Sequence, residues 1–308
     1  NYIKTTGSAA KNVDFSERYH AWFAYTPDHG EGIESVKNAD KRLDYGGNRN
    51  ISATVLSSWS GPAEESAAPY EANDGNTKSQ DADWSLPDSL IRDSEAMSGA
   101  RVQNIDFLPS TATFTDQQSH EGYVYSDAAT TAIKQAIVDN GVVEISYCAA
   151  VSMPGGTTDL RYLNMETKAH YTDEYTTPNH AVSIVGWDDN YSAENFKEGN
   201  QPTADGAWIV KNSWGNFEDR SDEVWESHKD ESPVDRQGYF YLSYYDQSVC
   251  DFTSYQVDTD ADGLFTYDNN YQNDYLGLKS PDSRKPSEAG CSGMTANVFT
   301  AASDELLQ

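Results

Sequence analysis

The back half of the chain carries four short apolar runs: VVEISY from Val142, HAVSIVGWD from His180, AWIVK from Ala207 and YFYLSYYD from Tyr239. Each has the length of a β-strand, and turn-forming or charged residues separate them. A helix precedes the first run. Ser126 or Asp127 can cap it, Ala132, Ile133, Ala136 and Ile137 form its apolar face, and Asn140-Gly141 suits a left-handed end. Before Val102 the pattern changes. Phe15, Tyr19, Trp22 and Phe23 recur at helical spacing, with Asp14 or Ser16 as cap, and Ile51–Trp59 reads as a second helix stopped by Gly61-Pro62. Residues 71–98 are polar and loop-like, and Val102–Phe107 is strand-like. A helical front thus meets a β-rich back near residue 100. The expected class is α+β, with two lobes and a cleft between them.

Composition narrows the partners. Fifty acidic against 21 basic side chains give a net charge of −29, which excludes phosphate-neutralising contact with nucleic acid and disfavours anionic membranes. No apolar run approaches the ~18–20 residues of a membrane span. A hydrophobic content of 37% argues against wholesale disorder. The acidic surface fits a secreted bacterial protein or a salt-adapted cytosolic one. Cys148, Cys250 and Cys291 are too scattered for a disulfide framework, and no His/Cys spacing suggests zinc. No metal or other cofactor is expected. Asp258, Asp260, Asp262 and Gly263 match the first half of a calcium loop, but Asn269 stands where a bidentate Glu is needed, so an acidic turn is preferred. The charged stretch 216–237 reads as a solvated loop. Both chain ends read as cuts through a larger protein.

His180 opens one apolar strand and Asn212 closes the next. Adjacent strands can bring an imidazole and a carboxamide within hydrogen-bond reach. The Asn oxygen then holds one ring nitrogen and leaves the other to a nucleophile, which is the base-and-orienter half of a Cys-His-Asn triad. Taken alone, the two residues read more readily as a strand-capping His and a turn Asn.

The surrounding words carry a more specific message. NHAVSIVGWDD, GAWIVKNSWG and GYFYLSYYD resemble the back half of the papain family of cysteine peptidases. FSERYHAWFAY, the pair Gly46-Gly47, GPAEESAAPY and SDAATTAIKQAIVDNGVVEISY resemble the preceding segments in order, so the likeness runs from about residue 1 to 250. It implies a two-lobe fold with a helical left lobe over 1–100, truncated at its N-terminus, and a β-barrel-like right lobe over 101–250. It also implies hydrolysis of peptide bonds in a protein or peptide substrate. His180 and Asn212 would be catalytic, Trp214 would cover their contact, and Gly46, Gly47, Asn179 and Ala181 would face the substrate. The likeness is nearest to bacterial members with a lectin-like domain after the peptidase. Residues 251–308, with YDNNYQNDYLG and Met294–Ala301, resemble that connector and first strand. Secretion or cell-surface display, and a surface glycan as a further partner, follow from the same resemblance.

Two departures matter. Asp44-Tyr45 precede the glycines where many members have a disulfide Cys. The family's nucleophilic Cys and oxyanion Gln find no place here. Asn1–Lys4 resemble the last turn of the helix that bears the Cys, which sets the chain's start roughly ten residues after it, judged by ordinary helix length. The expected reading is a fragment of a cysteine endopeptidase, inactive alone, whose partner is the upstream segment. The alternative is a catalytically dead relative that binds peptide or glycan. On either reading, loss of the central helix should expose Phe15, Tyr19, Trp22 and Phe23.

Overall fold

The computed structural model describes residues 13–24, 47–59, 61–71, 84–90, 100–149, 151–152, 158–213, 233–259 and 269–270. They fall into two compact units, one within Asn104–Gln256 and the other within 9–103 and 257–308.

In the second unit, α1 (Glu17–Ala24) is capped by Ser16, not Asp14. The Ser16 hydroxyl accepts from Tyr19 N at 2.9 Å and donates to Ala68 O at 2.5 Å, tying the helix start to a segment 52 residues on. The apolar residues of the helix turn inward. Tyr19, Trp22 and Phe23 are 1%, 7% and 0% exposed and pack with Ala63, Ala68, Leu86 and Leu90. The expected exposure of these aromatic side chains is therefore wrong. Arg18, on the same helix, is buried too. Its guanidinium donates to the carbonyls of Trp84 (2.9 Å), Glu71 (2.5 Å), Ser85 (3.1 Å) and Pro69 (3.3 Å). One side chain so satisfies four backbone acceptors on two loops, each of which would cost about 1–3 kcal/mol if buried unbonded. The second helix, α2 (Arg49–Ser57), starts two residues before the expected Ile51 because Asn48 Oδ1 accepts from Asn50 N and Ile51 N at 3.0 and 3.2 Å.

The first unit is built on α3 (Asp127–Asn140) and most of the twelve strands found among the described residues. Ser126 caps α3 through Ala129 N, and Gly141 ends it at a φ of 102°, as Asn140-Gly141 suggested. The strands are β1 (Ala100–Phe107), β2 (Ala112–Asp116), β3 (Glu121–Tyr125), β4 (Val143–Tyr147), β5 (Val151–Ser152), β6 (Thr158–Asp159), β7 (Leu163–Asn164), β8 (Ala169–His170), β9 (His180–Asp188), β10 (Ala207–Lys211), β11 (Tyr239–Ser243) and β12 (Cys250–Thr259). Eight of them form one sheet in the order β1-β12-β4-β9-β10-β11-β8-β7. This is an α+β fold. The barrel-like closure expected of the back lobe is not realised: the sheet is open, with β1 and β7 as its edges among the described residues. Closing a sheet needs long, staggered edge strands, and β7 and β8 are two residues each.

The core lies where α3 meets the sheet. Ile133 and Ile137 pack with Val143, Ile145, Ile184, Trp208, Val210 and Leu242, and Trp208 is fully buried. A polar knot is buried beside this apolar mass. His170 is 2% exposed and Asp246 0%. The His170 ring bonds Thr172 Oγ1 at 3.1 Å and lies 3.8 Å from Asp246 Oδ2. Burial drives the His170 imidazole down to about 3, so it is neutral in the fold at neutral pH.

That depression fixes a pH dependence. Below about 6.5 the unfolded chain protonates His170 while the folded chain resists until about pH 3, so stability is lost as pH falls through this window. Relative to His170→Gln, the wild type should lose about 1.4 kcal/mol per pH unit across it. Urea unfolding of both proteins at pH 7, 6 and 5 measures the difference.

Candidate active site

His180 begins β9 directly opposite Tyr147 of β4, so it stands on the face that also presents Val182 and Ile184 to the core. Asn212 follows the last residue of β10. Whether the two meet depends on register. From Ala207 to Ile209, β10 pairs with β9 in one register, with Ile209 opposite Gly186. Val210 then lies opposite Ile184, and Val185 has no partner on β10. This is a bulge. Without it, Asn212 would come opposite Ser183 and point to the other face, because side chains alternate along a strand. With it, Lys211 lies opposite Ser183, and Asn212 falls on the His180 face, diagonal to the ring.

The outcome is a hydrogen bond of 2.9 Å between His180 Nε2 and Asn212 Oδ1. Asn212 is 3% exposed and His180 half-buried. Two backbone contacts set the asparagine. Its N–H donates to Gly238 O at 3.0 Å, and its Oδ1 accepts from Ser213 N at 2.8 Å. The second contact decides the chemistry. A backbone N–H can only donate, so the atom facing it is the amide oxygen, and that same oxygen faces the imidazole. Nε2 must therefore carry a proton, which leaves Nδ1 of the neutral ring as an acceptor and base. Gly238 O is held in turn by the Asp235 turn. Asp235 Oδ1 accepts from Gln237 N at 2.9 Å and Tyr239 N at 2.8 Å, and Gly238 sits at a φ of 85° that favours glycine.

Tyr147 packs beside the imidazole, its ring centre 6.1 Å from that of His180 and stacked on Phe240 at 5.3 Å. Burial holds its phenol far above its usual range, so it offers no charge to the site. Nothing in the sequence marks this neighbour beyond its place at the end of an apolar run.

The other expected site residues are placed unevenly. Asn179 uses its side chain on β4's exit: Oδ1 accepts from Ala149 N at 3.0 Å, and Nδ2 lies 3.9 Å from Cys148 Sγ. Ala181 alternates to the face of β9 opposite His180 and is exposed. Gly47 is exposed just before the α2 cap and belongs to the other unit. Gly46 and Trp214 lie outside the described residues. Cys148 is buried, Cys250 half-buried in β12, and Cys291 outside the described residues. Among the described residues no group of three or more His, Cys, Asp or Glu is arranged to hold a metal, and Asp258 lies within β12. No described helix is long and apolar enough to cross a membrane.

The family described as papain family cysteine protease matches residues 44–222. Among solved structures, the chain is similar to the cysteine protease and lectin-like domains of Cwp84, a surface-layer-associated protein of Clostridium difficile. That match has a TM-score of 0.56 and 26% identity, over 84% of this chain and 44% of the other. A cysteine-to-alanine variant of the clostridial cysteine protease Cwp84 after propeptide cleavage matches with a TM-score of 0.55 and 26% identity, over 84% and 50%. The chain thus spans about half the length of these relatives. No curated protein sequence matches it.

In wild-type chain labelled with ¹⁵N-histidine, the two ring nitrogens of the neutral His180 ring should give well-separated signals, with the proton on Nε2. Asn212→Ala should draw the two signals together as tautomers mix. It should also cost about 1–2 kcal/mol, because Ser213 N–H loses its acceptor.

Proposed function

This chain belongs to the papain family of cysteine proteases, and we propose that it supplies the histidine–asparagine half of a Cys-His-Asn endopeptidase site. The contact between His180 Nε2 and Asn212 Oδ1, with the oxygen turned toward the ring by Ser213 N–H, carries the reading. In this arrangement Nδ1 of His180 takes the thiol proton and forms a thiolate–imidazolium pair. The thiolate attacks the scissile carbonyl, and backbone N–H and a Gln side chain hold the oxyanion. His180 then protonates the leaving amine, and water hydrolyses the acyl-enzyme.

The nucleophile and the oxyanion Gln are assigned to a segment upstream of Asn1. Cys148 is an unsuitable nucleophile: it is buried at a strand exit, and apolar burial raises a thiol's pKa. Gly46 and Gly47 let a substrate backbone approach, since no Cβ intervenes. Trp214 is assigned the shielding of the His180–Asn212 contact, as the family resemblance implies. Asn179 and Ala181 meet the substrate through backbone, because their side chains are turned away from the His180 ring.

The proposed division is a left lobe over 1–100, a right lobe over 101–250, and a connector with the start of a lectin-like domain over 251–308. The parent protein is placed at a bacterial cell surface or in secretion. The surface-layer association of Cwp84 supports that placement, and a surface glycan is a second partner through the lectin-like part.

The test is turnover of a peptide substrate by the parent protein that includes the upstream segment. His180→Ala should lower kcat/KM by about 10³-fold or more, as removal of a triad member does. Turnover that survives this change overturns the assignment. A parent without a cysteine at the upstream position leaves a peptide- or glycan-binding relic instead.

A further inference from the structure

Asp246 is a buried carboxylate that the proposed mechanism does not use. Its Oδ2 accepts from Thr172 N at 2.7 Å, and its Oδ1 accepts from Ser248 N at 2.9 Å and Ser248 Oγ at 2.6 Å. Burial raises its pKa to about 6, so ionisation at neutral pH is held against a desolvation cost. The nearest cationic candidate, His170, is neutral there. A position that served packing alone would take an apolar residue with less difficulty.

What the carboxylate provides is direction. It makes the Ser248 hydroxyl point its proton at Oδ1, so that hydroxyl is an acceptor toward everything else. The Cys148 N–H donates to it at 3.0 Å. The His170 ring also hydrogen-bonds the Cys148 backbone. Cys148 is the first residue beyond β4. Its neighbour Ala149 donates to Asn179 Oδ1 at 3.0 Å, and Asn179 N donates to Tyr147 O at 3.0 Å. Asn179 immediately precedes His180. A continuous hydrogen-bonded path therefore runs from Asp246 through Ser248, the Cys148 peptide and Ala149 to Asn179, the residue that leads into the imidazole.

We infer that Asp246 and Ser248 are positioning residues that fix the exit of β4 and, through Asn179, the orientation of the His180 ring against Asn212. The inference rests on the reading of His180 as the catalytic base. Its consequence is that a hydroxyl far along the chain controls a tautomer without touching the ring.

The test uses the full chain labelled with ¹⁵N-histidine. Ser248→Ala removes only the linking hydroxyl, and Asp246→Asn replaces the carboxylate by an amide that must turn a donor toward Thr172 N or toward Ser248. Ser254→Ala is the control, a buried serine in β12 that bonds Asn140 Nδ2 at 2.9 Å. Ser248→Ala should unfold cooperatively, yet draw the two His180 ring signals together as Asn212→Ala does. Ser248→Thr, which keeps the hydroxyl, should restore their separation. Ser254→Ala should lower Tm while leaving the His180 signals in place. If Asp246→Asn does not fold, the Ser248 variants decide alone. His180 signals in Ser248→Ala that match those in Ser254→Ala overturn the inference. That failure would be separate from failure of the peptidase reading, which is judged by turnover in His180→Ala.

Discussion

Val185 has no partner on β10, and the site depends on that omission. Antiparallel strands keep paired residues on one face, so a register is also a choice of face. The first three pairs of β9 and β10 belong to a register that would send Asn212 away from His180. Skipping Val185 changes the parity, and Val210 and Asn212 then share a face with His180, Val182 and Ile184. The same step keeps Trp208 and Val210 both fully buried, because the parity of β9 changes beneath them. One irregularity thus serves packing and chemistry together: the apolar row of the core continues at its rim as an imidazole and a carboxamide.

Around this pair the structure is layered by how strictly each contact is directed. Packing of α3 on the sheet supplies bulk stabilisation that is indifferent to orientation. The rim is held differently. Gly238 and Ser213 fix the asparagine through backbone, the Asp235 turn fixes Gly238, and the Asp246 knot ties β4's exit to Asn179. These are short, directional bonds in a poorly solvated region, where each unmet partner is costly. The result is an imidazole whose tautomer is set by groups that cannot reorient.

Much of this was legible in the sequence because it is local. Capping of α3 by Ser126, its end at Gly141 and the four apolar strands follow from residue type and spacing. The contact of His180 and Asn212 was expected from the words around them, NHAVSIVGWDD and GAWIVKNSWG; their separation across two adjacent strands made it possible but did not decide it. What escaped is non-local or interrupted. The hairpin of β2 and β3 alternates in ATFTD and EGYVY, but a polar stretch of Gln and Ser breaks the run, and β12 extends into residues that read as an acidic turn. HAVSIVGWD is apolar throughout, so nothing in it marks Val185 as the skipped residue. Barrel closure was wrong because it depends on how far β7 and β8 extend, which propensity does not set. Exposure of the front aromatic side chains was wrong because Ala63, Ala68, Leu86 and Leu90 cover them from distant segments. Arg18 was invisible as a structural residue for the same reason: its four carbonyl partners lie more than fifty positions away.

The measurement that bears most directly on the account is the site of covalent modification in the parent protein by a peptidyl electrophile that reacts with thiolates. One adduct is expected, mapped by mass spectrometry to a cysteine upstream of Asn1 and lost in His180→Ala, because the imidazole generates the thiolate. An adduct on Cys148, Cys250 or Cys291, or labelling that persists without His180, would contradict it.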